Sequence, residues 1–509
     1  MEKTRLAAID IGTNSIRCIV VDADRQGRFL VRDDEKATVR LGEGLDRSGV
    51  ISPAACCRAM EAVGRMRGLI EGLGVVVVEA VATSAIRIAA NGRDLADALS
   101  RELGHGIRVV SGQEEARLVA LSGLRAFDME GERHALIDIG GGSVEILIAA
   151  GQQIERCHSL DLGAVLMTER FLGADRVCAE EYQLFQQYVS SLLIKCFRGE
   201  RIALQRMIVS GGCINSLGGM ILNQRGQFYT SPHGHELLRS DVARQLSKLM
   251  STGIRERCSI AGLNPERADI ILAGCGVADE LMRFFDASRL LINGRGMREG
   301  LIISCMRRLG LAPNDPLPRD WRSEVLEFAR SCHIDEAHAR HVARLALAVF
   351  DRLAGEGEVK QGERKVLEVA ALLHDIGRVI AFDGHHKHSC HLIRHADLFG
   401  LTPTERELAA LVARYQCKAL PREKHRDFVR LSEQERDTVS RLGGILRLCD
   451  GLDRRGSGLV NVAALERDGE CYRLVLQGKG DISVELHAAN AKRDLFEKAF
   501  RASIDFTLS

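Results

Sequence analysis

The sequence predicts a mixed α/β chain: two α/β blocks built on one plan, then an all-α block, then a small α/β tail. Three observations predict it. The heptapeptide IDIGTNS at 9–15 returns as IDIGGGS at 137–143, with Ile, Asp, Ile, Gly and Ser in register at an offset of 128. Strand-like and helix-like apolar periods alternate as far as residue 310. Beyond a break, LGLAPNDPLPRD at 309–320, which holds three of the eight prolines, strand patterns give way to helical ones rich in His.

The elements follow from period and turn chemistry. In the first block, 1–127, apolar runs at 6–9 and 16–21 flank a tight turn at 12–14. The polar turn DADRQGR then leads back through 29–31 as a β-meander. Residues 53–71 have helical spacing, 75–78 form a buried strand, and 113–127 form a helix. The second block, 128–310, repeats the theme, with strands at 134–138, 144–149 and 154–159 and helices at 180–196, 240–250 and 266–285. A strand at 207–209 runs into a third glycine turn, SGGCINSLGG at 210–219, and then a helix. The third block, 320–457, is helical. The fourth, 458–509, alternates at 472–476 and 482–486 and closes with a helix near 494–500.

Composition narrows the classes. At roughly 150 residues per domain, the chain accommodates about three or four domains. Lys plus Arg is 70 against Asp plus Glu at 69, a net charge of +1. That balance argues against a surface built to coat nucleic acid or anionic lipid, so neither a specific nucleic-acid partner nor a membrane is expected. No apolar run approaches the ~20 residues of a membrane span. Asp10 interrupts the N-terminus before a signal-peptide core could form, and a cytoplasmic location is expected. The fifteen cysteines contain no CxxC pair and are expected to be reduced and mostly buried.

Each heptapeptide reads as a strand ending in Asp, a glycine turn, a hydroxyl and a second strand. Such a turn aims backbone N–H groups and a hydroxyl at one point, which suits phosphate oxygens. One turn alone is equally a solvated β-turn. Two in register, each opening an α/β block, read as a pair gripping a polyphosphate from both sides. The phosphate-binding candidates are Gly12, Thr13, Asn14 and Ser15 in the first turn and Gly140, Gly141, Gly142 and Ser143 in the second. Asp10 and Asp138 can hold Mg²⁺ or another divalent cation, which prefers oxygen ligands. Glu145 lies two residues past Ser143 and so faces the same side of its strand. Ser111 and Glu114 fit a capping box at the start of their helix.

Five segments come in an order and spacing that identify a resemblance: AIDIGTNSIR (8–17), ATSAIRIAANG (82–92), SGQEEARL (111–118), IDIGGGSVEI (137–146) and LGAVLMTERF (162–171). Together they resemble the exopolyphosphatase / guanosine pentaphosphate phosphohydrolase (Ppx/GppA) family, within the superfold of actin, sugar kinases and heat-shock chaperone ATPases. GRGMREGLI (294–302) resembles the end of that family's catalytic core, and the likeness covers the whole chain. The resemblance implies two actin-like (ribonuclease H-like) domains forming a cleft, followed by an HD-like helical domain and a small C-terminal α/β domain. It implies that Glu115 is the catalytic base, Glu145 a second catalytic carboxylate, and Arg87 a holder of the substrate phosphate. It also implies a homodimer. The chemistry is consistent with these roles, because phosphoanhydride hydrolysis needs charge neutralisation, in-line placement and a group to orient water. A position at a helix N-terminus is expected to keep Glu115 anionic.

In the helical block, His341, His374, Asp375 and Asp450 follow the ligand order of HD-type metal phosphohydrolases, with LLHDIG (372–377) the most specific piece. GHHKHSCHLI (384–393) adds more His, with His388 and His391 on one helix face. RYQCKALP (414–421) departs from the family's RYHRKALP at Gln416 and Cys417. A basic stretch from Arg414 to Arg430 is either a solvated face or an anion track for a long polyphosphate. The leading reading is a Mg²⁺-dependent exopolyphosphatase. Hydrolysis of guanosine pentaphosphate to the tetraphosphate is the same chemistry on another substrate. An ATP-binding chaperone or sugar kinase, and a non-catalytic sensor of polyphosphate or guanosine tetraphosphate, are the readings from other classes.

Overall fold

A computed structural model describes residues 3–127, 129, 131–151, 153–226, 231–313 and 320–508. Residues 314–319 of the proline-rich break lie outside the described residues. The chain divides into two compact units, 1–317 and 318–509.

The first unit holds two sheets. One is built from β1 (Thr4–Ile11), β2 (Ser15–Ala23), β3 (Phe29–Thr38), β4 (Val77–Ala82) and β5 (Ile107–Val109) in the order β3-β2-β1-β4-β5. The other is built from β6 (Arg133–Ile139), β7 (Val144–Ala150), β8 (Gln153–Leu160), β9 (Arg206–Ser210), β10 (Glu236–Leu238) and β11 (Arg289–Asn293), in the order β10-β11-β9-β6-β7-β8. Both are an antiparallel meander followed by two parallel strands, and the second adds β10 as an antiparallel edge. The duplication in the sequence is therefore a duplication in topology. The register agrees too: Ile11 faces Ile16, and Ile139 faces Val144.

The helix Gly112–Ala126 lies between the sheets. Its Leu118 and Val119 join the apolar cluster on the first sheet, and its Ala120 joins the one on the second. The helix Met297–Arg308 packs on it at Gly300, where a Cβ would meet the Leu118 carbonyl. A side chain at residue 300 would push apart the two helices that carry one wall of the site.

The second unit carries the helices Trp321–Ser331, Glu336–Gly355, Arg364–Leu373, His385–His395, Pro403–Arg414 and Glu433–Gly451. A three-stranded sheet follows, with β12 (Val460–Asp468) antiparallel to β13 (Cys471–Gly478) and β14 (Ser503–Leu508) parallel to it. One apolar cluster runs from Val325 to Ile504 through helices and sheet alike. The helix starts are well marked: Asp320, Asp335, Thr402 and Ser432 each accept from backbone N–H groups of the first turn.

Several expectations are corrected. The strand expected at 75–78 begins at Val77, and Val76 is exposed. Its buried part is Ala80, Val81 and Ala82, because the loop after the helix Pro53–Gly72 uses the first valines. The helix expected over 266–285 is a 3₁₀ turn, Pro265–Arg267, and a helix, Ile271–Phe284. Residues 482–486 are not a strand, since Ser483–Asn490 is helical. β12 and β14 were not anticipated. All fifteen cysteines are free, but only seven are buried. Among the described residues no helix is long and apolar enough to cross a membrane.

Candidate active site

The two glycine turns are closed by the same bond. Gly12 N–H donates to the Ser15 carbonyl at 3.1 Å, and Gly140 N–H donates to the Ser143 carbonyl at 3.0 Å. Each is then held from outside. Gly42 N–H donates to Thr13, and Val39 and Arg40 donate to Asn14. The start of the helix Ala164–Phe171 donates to Gly140 and Gly141. Among the described residues, no protein group accepts from the N–H of Thr13, Asn14, Gly141 or Gly142.

The turns face each other. A Cβ on Gly141 would stand 3.1 Å from Thr13 Cβ and 3.2 Å from Asn14 N. One on Gly142 would stand 2.7 Å from Thr13 Oγ1 and 2.5 Å from Ser84 Oγ. Glycine is required here by close approach of two backbones. All eight turn candidates, with Asp10, Asp138 and Glu115, line one cleft.

Arg87 and Glu145 stand behind that lining. Arg87 Nη1 donates to Glu115 Oε2 at 3.0 Å and to the Val110 carbonyl at 2.9 Å. It is thus placed to hold Glu115. Glu145 faces Asp138 across the strands, accepts from Ser159 Oγ at 2.9 Å, and leaves Oε2 buried with no partner among the described residues. The capping expectation is half right. Ser111 caps the helix by accepting from Glu114 N–H, but the Glu114 side chain turns to Arg108. Glu115 is buried and Glu114 is not.

The cleft is also lined by Arg17, Thr83, Arg267 and Arg298, which sequence reasoning missed. Arg17 was within reach, because it alternates with Ser15 as Glu145 does with Ser143. Arg298 lies in the segment GRGMREGLI and pairs with Asp34. Gly211, Gly212 and Asn215 belong to the third glycine turn.

Burial dominates the electrostatics of the acids. It raises Asp10 and Asp138, although Arg17 lowers both. It pushes Glu115 up to about 7 against the pull of Arg87, and Asp10 and Asp138 add to the rise. Glu145 is raised well above the carboxylate range by burial, then by Glu115 and Asp138. The expectation of a helix N-terminus keeping Glu115 anionic fails, since loss of water outweighs a terminal dipole.

Residues 19–309 match the Ppx/GppA phosphatase family. The chain belongs to the Ppx/GppA phosphatase family. Residues 322–480 match domain III of the Ppx/GppA phosphatases. A family member from Aquifex aeolicus is 25% identical with a TM-score of 0.53, over 62% of this chain and 100% of its own. An exopolyphosphatase from Cytophaga hutchinsonii is 25% identical with a TM-score of 0.56, over 61% of this chain and 100% of its own. As a Ppx/GppA member the protein is a phosphatase, and so a hydrolase.

In the second unit, His374, Asp375 and Asp450 converge as expected, but His341 does not join them. Its Nδ1 faces Arg344 and its Nε2 is buried without a partner among the described residues. His338, one turn earlier on the same helix, takes the place instead. His374 and Asp375 are not within a helix; they follow Leu373 and lead into a 3₁₀ turn. In the basic stretch, Lys418 pairs with Asp383 and His425 stacks on Tyr415.

Proposed function

We propose that this phosphatase is an exopolyphosphatase, releasing terminal orthophosphate from inorganic polyphosphate by attack of water. One observation carries the reading: two turns with unpaired N–H groups oppose each other in one cleft, beside a buried Glu115 raised to about 7. The N–H groups and hydroxyls of Gly12–Ser15 and Gly140–Ser143 bind the terminal phosphoryl oxygens. Arg17, Arg267 and Arg298 neutralise charge along the chain. Glu115, held by Arg87, accepts a proton from water as its oxygen bonds to phosphorus and the anhydride P–O bond breaks. Orthophosphate leaves, and the chain is one phosphate shorter. Glu145 orients that water through its unpartnered oxygen.

The acids fit a hard divalent cation. They offer oxygen alone, burial raises all four, and Glu145 Oε2 has no partner. Asp10 and Asp138 would hold Mg²⁺, which when bound offsets charge on the phosphoryl oxygens. A homodimer rests on the resemblance and is tested by light scattering; the four-domain division 1–127, 128–310, 320–457 and 458–509 rests on the periodicity of the sequence and its proline-rich break.

Guanosine pentaphosphate is the second substrate reading, supported by Gly211, Gly212 and Asn215 lining the same cleft. Orthophosphate release is measured from long polyphosphate and from the pentaphosphate, with and without Mg²⁺, for wild type and Glu115→Gln. Faster release from polyphosphate is expected; preference for the nucleotide reverses the order. Equal release by Glu115→Gln removes the assigned base, and no release by wild type favours a sensor.

A further inference from the structure

The second unit contains two imidazoles whose Nε2 atoms both face the carboxylates of Asp375 and Asp450. His374 is fully buried, and its Nδ1 lies 2.8 Å from the Ala371 carbonyl. A carbonyl only accepts, so Nδ1 carries the hydrogen and a neutral ring leaves a bare lone pair on Nε2. Among the described residues no protein group donates to that nitrogen. It faces Asp450 Oδ1 at 3.5 Å and Asp375 Oδ2 at 3.6 Å. His338 repeats the arrangement. Its Nδ1 lies 2.8 Å from Asp453 Oδ2, and Asp453 Oδ1 is itself held by Gly458 N–H at 2.9 Å. Its Nε2 faces Asp450 Oδ1 at 3.7 Å and Asp375 Oδ2 at 3.8 Å.

Two lone pairs aimed at two carboxylates repel in a buried site. Protonated rings do not resolve this. A charge-assisted N–H···O bond closes to about 2.7–2.9 Å, and these gaps are wider. They resemble instead the edges of a ligand polyhedron around one ion: bonds of about 2.1 Å give a tetrahedral edge of about 3.4 Å. Lys492 reaches Asp450 through its other oxygen, Oδ2, and Arg378 lies 2.7 Å from Asp375 Oδ2. They neutralise part of the acidic charge but supply nothing to the histidine nitrogens.

We propose that the second unit binds one divalent transition-metal ion through His338 Nε2, His374 Nε2, Asp375 and Asp450. Asp453 is the positioning residue that orients His338, the usual partner of a metal-bound imidazole. Two nitrogens and two carboxylates favour Mn²⁺, Fe²⁺, Co²⁺ or Zn²⁺ over Mg²⁺. The site shares no residue with the phosphatase cleft.

The test loads the full-length chain with Co²⁺, removes unbound metal, and reads metal content and the visible absorption of histidine-bound Co²⁺. Wild type and Asp10→Asn are expected to keep one such ion per chain. His374→Gln and His338→Gln are expected to lose it, Asp453→Asn to bind about 10–100-fold more weakly, and His341→Gln to bind as wild type. Circular dichroism establishes that each variant is folded, and Asp453→Asn alone decides the matter if the ligand variants do not fold. The proposal is overturned if wild type retains no Co²⁺, if Asp453→Asn binds as tightly as wild type, or if folded His374→Gln keeps the absorption.

Discussion

The two glycine turns match at five of seven residues and share a closing hydrogen bond and a strand register, yet differ sharply at the position opposite the strand-end Asp. Opposite Asp10 stands Arg17; opposite Asp138 stands Glu145. Both positions lie two residues past the turn's serine, on the same face as the Asp they oppose. The first turn is thereby backed by a cation and the second by an anion. Arg17 lines the cleft with Arg267 and Arg298, while Glu145 is buried behind it with one oxygen unpartnered. Duplication supplies two opposed turns, and divergence beside them sets a cation across from Asp10 and an anion across from Asp138, which in the proposed function serve charge neutralisation and water.

The largest expected effect breaks the acidic side. Glu115→Gln lowers turnover by about 10²–10⁴-fold, and Glu145→Gln lowers kcat more than it changes KM, both measured by orthophosphate release. Arg17→Gln tests the other side: KM for polyphosphate rises about 10-fold with a smaller change in kcat, as lost substrate binding would give.

The turns themselves are compared next. Gly142→Ala meets Thr13 Oγ1 and Ser84 Oγ, whereas a Cβ on Gly12 stands 3.1 Å from the Ser15 carbonyl. Displacing a positioning group by about 1 Å can reduce rate ~10²-fold, so Gly142→Ala is expected to lose more activity than Gly12→Ala.

A pH profile sharpens the picture further. Activity falls as pH drops through about 7, where Glu115 takes up its proton. Arg87→Gln removes a group that holds Glu115 down, and the limb moves to higher pH.

The smallest effect is on stability. Folding raises Glu115 and Glu145, so their contribution is full below the unfolded value of about 4.3. It is lost as pH rises through the folded values. Without divalent cations, Tm is expected to fall from pH 5 to pH 8, and by less in Glu145→Gln, a difference of ~2–4 °C. An equal fall in both proteins rules out Glu145 as a source.

The second unit shows how far the sequence carries a site. LLHDIG announced His374 and Asp375, and Asp450 followed from residue order. The order did not choose between His338 and His341. Both are on the helix Glu336–Gly355 and both are buried, three residues apart. Only the neighbours decide, since Asp453 draws His338 inward while Arg344 takes His341. In the first unit Arg87 was singled out by the resemblance, although it stands behind the cleft lining and not in it. Its pairing was not legible, because Glu115 is 28 residues away and joined to it only by folding.

By itself the sequence determined the repeated strand–turn–strand plan, the break between the units and the helix starts. These rest on local periods, turn glycines and caps, which act within a few residues. Tertiary structure alone decided that the two turns meet, that Arg267 and Arg298 from distant parts of the chain share their cleft, and that Glu115 loses its water. Contact and desolvation depend on which surfaces exclude solvent together, and no local pattern records that.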